Sequence, residues 1–229
     1  MNLMFRFVDL FAGIGGMRLG FDSLGGECVF SSEIDTHARE TYESNFNELP
    51  HGDIRKISVE DIPKHDLLVG GFPCQPFSIA GVSKLSSMGR GHGFLEETKG
   101  TLFFEICRIL EHHKPKVILL ENVKGLTWHD EGRTFAKITS TLESLGYTLS
   151  HKVINSKNFV PQRRERIFIV GFNDGTKFKF PELPDNLPVL KDILEKSVDP
   201  KYTINDHLWA YHQERKRKQK EKGNGFGFR

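Results

Sequence analysis

The run Gly70-Gly71-Phe72-Pro73-Cys74-Gln75-Pro76-Phe77-Ser78 places a thiol between two prolines, straight after the apolar stretch Leu67-Leu68-Val69. Each proline fixes its own φ and restricts the residue before it, so Cys74 is held on a stiff loop at a strand end. A thiol held in that way is a candidate nucleophile, whereas an isolated cysteine is more often a small buried apolar residue. Glu121, in Glu121-Asn122-Val123, ends the most apolar strand-like run of the chain. A carboxylate there is partly desolvated and suited to proton donation; the alternative is an acid that merely caps the next turn. Gln162-Arg163-Arg164-Glu165-Arg166 puts three arginines within four positions. Their forked donors suit a phosphate or a carbonyl oxygen, against the plainer reading of a solvated charge run.

A second group reads as a nucleotide-type site. Asp9-Leu10-Phe11-Ala12-Gly13-Ile14-Gly15-Gly16 follows an apolar run, and glycines let backbone approach a ligand closely at a helix N-terminus. Glu33 lies about twenty residues on, at the end of the next strand, where an acid binds a ribose diol. The dinucleotide fingerprint is not met, because Arg18 stands where its third glycine falls, so these residues alone leave the cofactor class open. Asp53, in Gly52-Asp53-Ile54, is either a turn cap or a partner for an adenine amino group.

These residues need elements to position them. Phe5–Phe11, Glu27–Ile34, Asp66–Gly71, Lys116–Glu121 and Arg166–Phe172 read as strands, and the run Lys116–Glu121 carries the mark of a strand buried on both faces. Met17–Leu24, Thr36–Phe46, Thr101–His113 and Thr134–Leu145 read as helices, the third on apolar residues at helical spacing. Alternation of the two implies parallel βαβ units in a doubly wound, mostly parallel Rossmann-like α/β sheet, whose ligands bind outside the strand carboxyl ends. The glycine turn, Glu33, Cys74 and Glu121 all fall there. Ile79–Lys99, rich in glycine and serine, is expected to be a mobile active-site loop. Phe178–Pro188 reads as a linker, and Asn205–Lys222 as a basic helix. The expected division is therefore residues 1–180 and residues 181–229.

Composition bounds the rest. The chain has 229 residues, 38% hydrophobic and 27% charged, enough for one large domain with an appendage and against global disorder. Three cysteines without a Cys-x-x-Cys pair argue for a reducing cytosol and against a structural zinc site. No stretch approaches membrane-spanning length. Net charge is only +2, but His212–Lys222 carries six Lys/Arg against two Glu, either a solvated helix face or a phosphate-contacting patch.

Taken together, DLFAGIGG (Asp9 to Gly16), GGFPCQPFS (Gly70 to Ser78), ENV and QRRER occur in an order and at spacings that resemble the DNA (cytosine-5)-methyltransferases, of the bacterial restriction-modification type. The resemblance covers Phe5 to about Phe172 well and the remainder more loosely. It implies S-adenosylmethionine as methyl donor, S-adenosylhomocysteine as product, no metal, and a cytosine flipped out of duplex DNA. By the same resemblance, Cys74 attacks C6, Glu121 holds the N3 and N4 edge and supplies a proton, Arg166 contacts O2, and Arg164 positions loop or backbone. Phe11, Gly13, Gly15, Gly16, Glu33, Ile34, Asp53, Ile54, Pro73 and Leu102 match cofactor-lining positions. The chain departs from the family at Lys99-Gly100, where Arg-Gly is usual, and in a longer loop. The closing GNGFGF resembles the opening of the target-recognition region in one bacterial branch, so residues 181–229 are expected to hold a linker, a basic helix and the start of an incomplete recognition region. That implies a monomeric bacterial cytoplasmic protein, with a complementary C-terminal polypeptide as a possible partner besides DNA. The alternatives are a non-catalytic fragment or one subunit of a split enzyme, and the tRNA-methylating cousin. The eukaryotic tRNA branch typically has Pro-Pro-Cys where this chain has Phe72-Pro73-Cys74, which favours DNA. A nicotinamide dehydrogenase fits poorly, since the fingerprint fails and the thiol loop has no role in it.

Overall fold

The computed structural model describes residues 4–73 and 102–224. Cys74 and the expected active-site loop Ile79–Lys99 lie outside the described residues, as does most of the closing GNGFGF. The described elements run β1 (Phe5–Leu10), α1 (Gly16–Asp22), β2 (Gly26–Ser32), α2 (Thr36–Phe46), β3 (Leu67–Gly71), α3 (Leu102–His113), β4 (Val117–Val123), α4 (Arg133–Ser144), β5 (Thr148–Asn155), β6 (Glu165–Phe172) and α5 (Asp206–Glu221).

The six strands form one sheet in the order β2-β1-β3-β4-β6-β5. β1 pairs in parallel with β2 and β3, and β3 with β4. Strict βαβ alternation fails at the end of the sheet. β5, a half-buried edge strand without a continuous apolar run, escaped the sequence reading. β6 then returns antiparallel between β4 and β5, with no α-helix connecting it to β5. The sheet is therefore mostly parallel, with one reversed strand.

Helix boundaries follow local chemistry. The Asp35 side chain accepts from the Ala38 N–H at 2.8 Å and starts α2, and Asn47, in the left-handed region at φ 53°, stops it. α3 buries Phe103, Phe104, Ile106, Cys107, Ile109 and Leu110. With Ile138 and Leu142 of α4 it covers Val8, Leu10, Leu68, Ile118, Leu120, Ile167 and Ile169 of the sheet, the main core. The opposite face is thinner: Met17 and Phe21 of α1 pack on Phe7, Leu67 and Val69. This corrects the expectation for β4, where buried and half-buried residues alternate instead of both faces being sealed. α1 has only seven residues and fully buries none of them, so its cover is partial.

The chain divides into two units between Asn186 and Leu187. In the second unit the Asn205 side chain accepts from the Leu208 N–H at 2.8 Å and caps α5. The basic run lies on that helix, and its own acids offset part of the charge, Arg217 reaching Glu214 at 2.7 Å. Nearly every residue from 187 to 224 is exposed. No described helix is long and apolar enough to cross a membrane.

Candidate active site

The carboxyl edge of the sheet collects most of the described residues singled out above. β1 ends at Leu10, and Phe11 turns the chain in the left-handed region at φ 56°. The Ala12 N–H donates to the Ser32 carbonyl at 3.0 Å, which ties the end of β1 to the end of β2. The Gly13 N–H donates to Glu33 Oε2 at 2.9 Å, and the Asp35 N–H to Glu33 Oε1 at 2.8 Å. Each carboxylate oxygen thus holds one protein donor and keeps a lone pair for another. The Glu33 side chain is oriented before any ligand arrives.

Phe11, Glu33, Ile34, Asp53, Ile54 and Leu102 line one cleft of about 230 Å³ together with Ser32, Gly52 and Arg55. Leu102 arrives from the start of α3, and Ile54 is 3% exposed beneath. Asp53 caps the short turn that follows it, its carboxylate accepting from the Arg55 N–H at 3.1 Å. The Arg55 fork also closes on it, with Nη2 2.7 Å from Oδ2, and holds the Asp53 carboxyl below its ordinary value. Arg55, Ser32 and Gly52 escaped the sequence reading, although their adjacency to Asp53 and Glu33 was the available signal. Gly13, Gly15 and Gly16 sit in the turn beside the cleft and do not line it, and Pro73 is exposed at the end of the described segment.

The second cluster is acid and arginine. Glu121 on β4 pairs in register with Gly71 on β3, and a Cβ at Gly71 would stand 3.4 Å from Glu121 Oε2. Arg166 Nε lies 2.9 Å from Glu121 Oε1, and Arg164 Nη2 is 4.0 Å from the same oxygen. The reversal of β6 explains the meeting: Val123 pairs with Arg166, so the beginning of β6 lies at the carboxyl ends of β3 and β4. Asn122 is 2% exposed; its Nδ2 donates to the Phe72 carbonyl at 2.8 Å, fixing the exit from β3 two residues before Cys74. The two described cysteines are poor nucleophiles. Burial pushes the Cys28 thiol up to about 11 and the Cys107 thiol up to about 12. Among the described residues, no group of His, Cys, Asp or Glu is arranged to hold a metal ion.

The cleft can take a ligand with a diol at Glu33, an amino group at Asp53 and an apolar ring between Phe11, Ile34 and Leu102. The second cluster can take the polar edge of a flat heterocycle. Comparison with known proteins places the whole chain rather than its sites. The chain is 54% identical over 228 residues to the Type II methyltransferase M.DsaV of Dactylococcopsis salina, covering 97% of this chain and 62% of that protein. It is 43% identical over 249 residues to a DNA-cytosine methyltransferase of Escherichia coli K12, covering 90% of this chain and 52% of that protein. The chain thus spans little more than half to three fifths of these relatives. Among solved structures, the S. pombe Dnmt2 methyltransferase superposes with a TM-score of 0.65 at 22% identity, over 92% of this chain and 66% of that one, a likeness of fold. Residues 5–228 match the C-5 cytosine-specific DNA methylase family, and the chain belongs to it.

Proposed function

We propose that the chain is the cofactor-binding and catalytic part of a DNA cytosine-5 methyltransferase acting at a specific duplex site. The observation that carries this reading is the convergence of Glu121, Arg166 and the β3 exit that leads to Cys74 at one end of the sheet, beside the Glu33–Asp53 cleft. The donor set of that cleft fits S-adenosylmethionine: Glu33 for the ribose hydroxyls, Asp53 for the adenine amino group, Phe11, Ile34 and Leu102 for the ring. Gly13, Gly15 and Gly16 shape the turn next to it, Ile54 forms its floor, and Pro73 leads into the thiol loop. When bound, the cofactor supplies the methyl group that C5 accepts.

Cys74 acts first. Its thiolate adds to C6 of the flipped cytosine, and the displaced π electrons make C5 enamine-like. Glu121 accepts from the N4 amino group and gives a proton at N3, which favours addition. Arg166 leaves its ion pair with Glu121 to donate to O2, and Arg164 steadies the backbone around it. After methylation, water takes the C5 proton, the freed electrons rebuild the C5–C6 double bond and expel the thiolate, and N3 returns its proton to Glu121. The poor thiols at Cys28 and Cys107 support Cys74 as the nucleophile. A complementary polypeptide is the proposed partner besides DNA. Its support is that Ile14, Leu19 and Leu24 around α1 are 58%, 67% and 66% exposed, on the thinly covered side of the sheet.

The test is methyl transfer from labelled S-adenosylmethionine to unmethylated duplex DNA, by the chain alone and with the C-terminal part of a relative added, and by Cys74→Ser. Cysteine-dependent 5-methylcytosine is expected. A product on tRNA only, or the same yield from Cys74→Ser, would overturn the reading.

A further inference from the structure

Arg18 occupies the place where a dinucleotide-binding turn has its third glycine, and its surroundings say what it does there instead. Its side chain is only 13% exposed although it sits on a short helix with no fully buried residue. Nη1 donates to the Tyr42 hydroxyl at 3.0 Å and to Glu48 Oε2 at 2.8 Å, and Nε reaches Asp22 Oδ2 at 3.3 Å. The guanidinium stands 4.6 Å from the centre of the Phe46 ring. Phe46 in turn fills the space beside Gly15, where a Cβ would come within 2.1 Å of the ring. Asn45 adds a bond from its Nδ2 to the Ile14 carbonyl at 3.2 Å. The end of α2 therefore grips the glycine turn through one cation and one aromatic ring. The far side of that turn is the Gly13 N–H, which holds Glu33 in the cleft.

We infer that Arg18 is the positioning residue of the cofactor site: it clamps α1 and the glycine turn to the end of α2, and through the Gly13 N–H it sets the pose of the Glu33 carboxylate. This rests on the cofactor reading of the cleft, but the clamp has a readout of its own. In Arg18→Met the stacked stem persists while the fork and the charge are lost. Amide exchange resolved by residue is expected to speed up about tenfold at Gly13 and Gly15, the worth of one charge-assisted hydrogen bond, with the β3 and β4 amides unchanged. S-adenosylhomocysteine affinity is expected to fall by a similar factor, measured by calorimetry. Should Arg18→Met fail to fold, Arg18→Lys keeps the charge but not the fork, and the same local rise is expected there. Unchanged exchange at Gly13 and Gly15, or a rise spread evenly over the sheet, would overturn the inference. If the unsubstituted chain binds no S-adenosylhomocysteine, the cofactor reading fails, while the exchange pattern still decides the role of Arg18.

Discussion

Asp9 lies 1% exposed at the end of β1, two residues before Phe11, and its Oδ2 meets no donor. Burial pushes its carboxyl up from 3.8 to about 7, against the opposing influence of Arg18. Between those values the folded chain keeps a proton that the unfolded chain has released. The resulting contribution to stability is complete below 3.8 and is lost as pH rises through about 7, on the order of a few kcal/mol. His65 works in the opposite sense: burial lowers it from 6.5 to about 4, so its contribution is complete above 6.5 and is lost as pH falls through about 4. The two slopes overlap, so the difference between variants isolates Asp9. Asp9→Asn should gain stability relative to the unsubstituted chain as pH rises from 3.8 to about 7, and hold a constant advantage above that, followed by urea unfolding. A gap that stays constant across that rise would show that Asp9 titrates normally. At the reacting edge, Glu121→Gln should slow single-turnover methylation by about two to three orders of magnitude, the usual worth of a positioned acid or base. Turnover near the unsubstituted rate would remove Glu121 from the chemistry.

Two element-scale features hold the sheet ends in place. Asn122 joins the ends of β3 and β4, giving its amide to the Phe72 carbonyl and taking the Val123 N–H at 2.8 Å. Asn122→Ala leaves a carbonyl and an N–H without their partner, and should cost about 1–3 kcal/mol, read as a lower denaturant midpoint at unchanged slope. Gly171 on β6 meets the side chains of Ile118 and Leu149, a Cβ there falling 2.8 Å from each. Gly171→Ala should therefore destabilise by about 1–3 kcal/mol through overpacking, and a neutral result would mean that β4 and β6 can part without cost. Both features hold the strands that carry Glu121 and Arg166.

At the scale of the molecule, the unit up to Asn186 holds all six described strands and the main core, whereas residues 187–224 bury almost nothing. A chain ending at Asn186 should melt within about 4 °C of the longer one, the shift that about 1 kcal/mol produces in a domain of this size. A larger drop would show that the second unit contributes to folding. That unit leaves apolar residues exposed, among them Leu187, Ile193, Leu194 and Trp209.

Periodicity and turn chemistry were enough to read β1 to β4, β6 and the five described α-helices to within a few residues, because each carries an apolar pattern or a cap. Glu33 and Asp53 were singled out from residue type and place, whereas Phe11, Ile54 and Leu102 came only from the family resemblance; the fold gathers all five on one cleft. β5 was not legible: an edge strand covered on one side has no continuous apolar run to announce it. Nor was the ion pair of Glu121 with Arg166, separated by 45 positions and brought together only by the reversal of β6. Arg18 shows the same limit. The sequence by itself determined that the dinucleotide pattern is broken at this position; only the tertiary structure, by setting Phe46 and Glu48 beside it, decided that the break is a clamp.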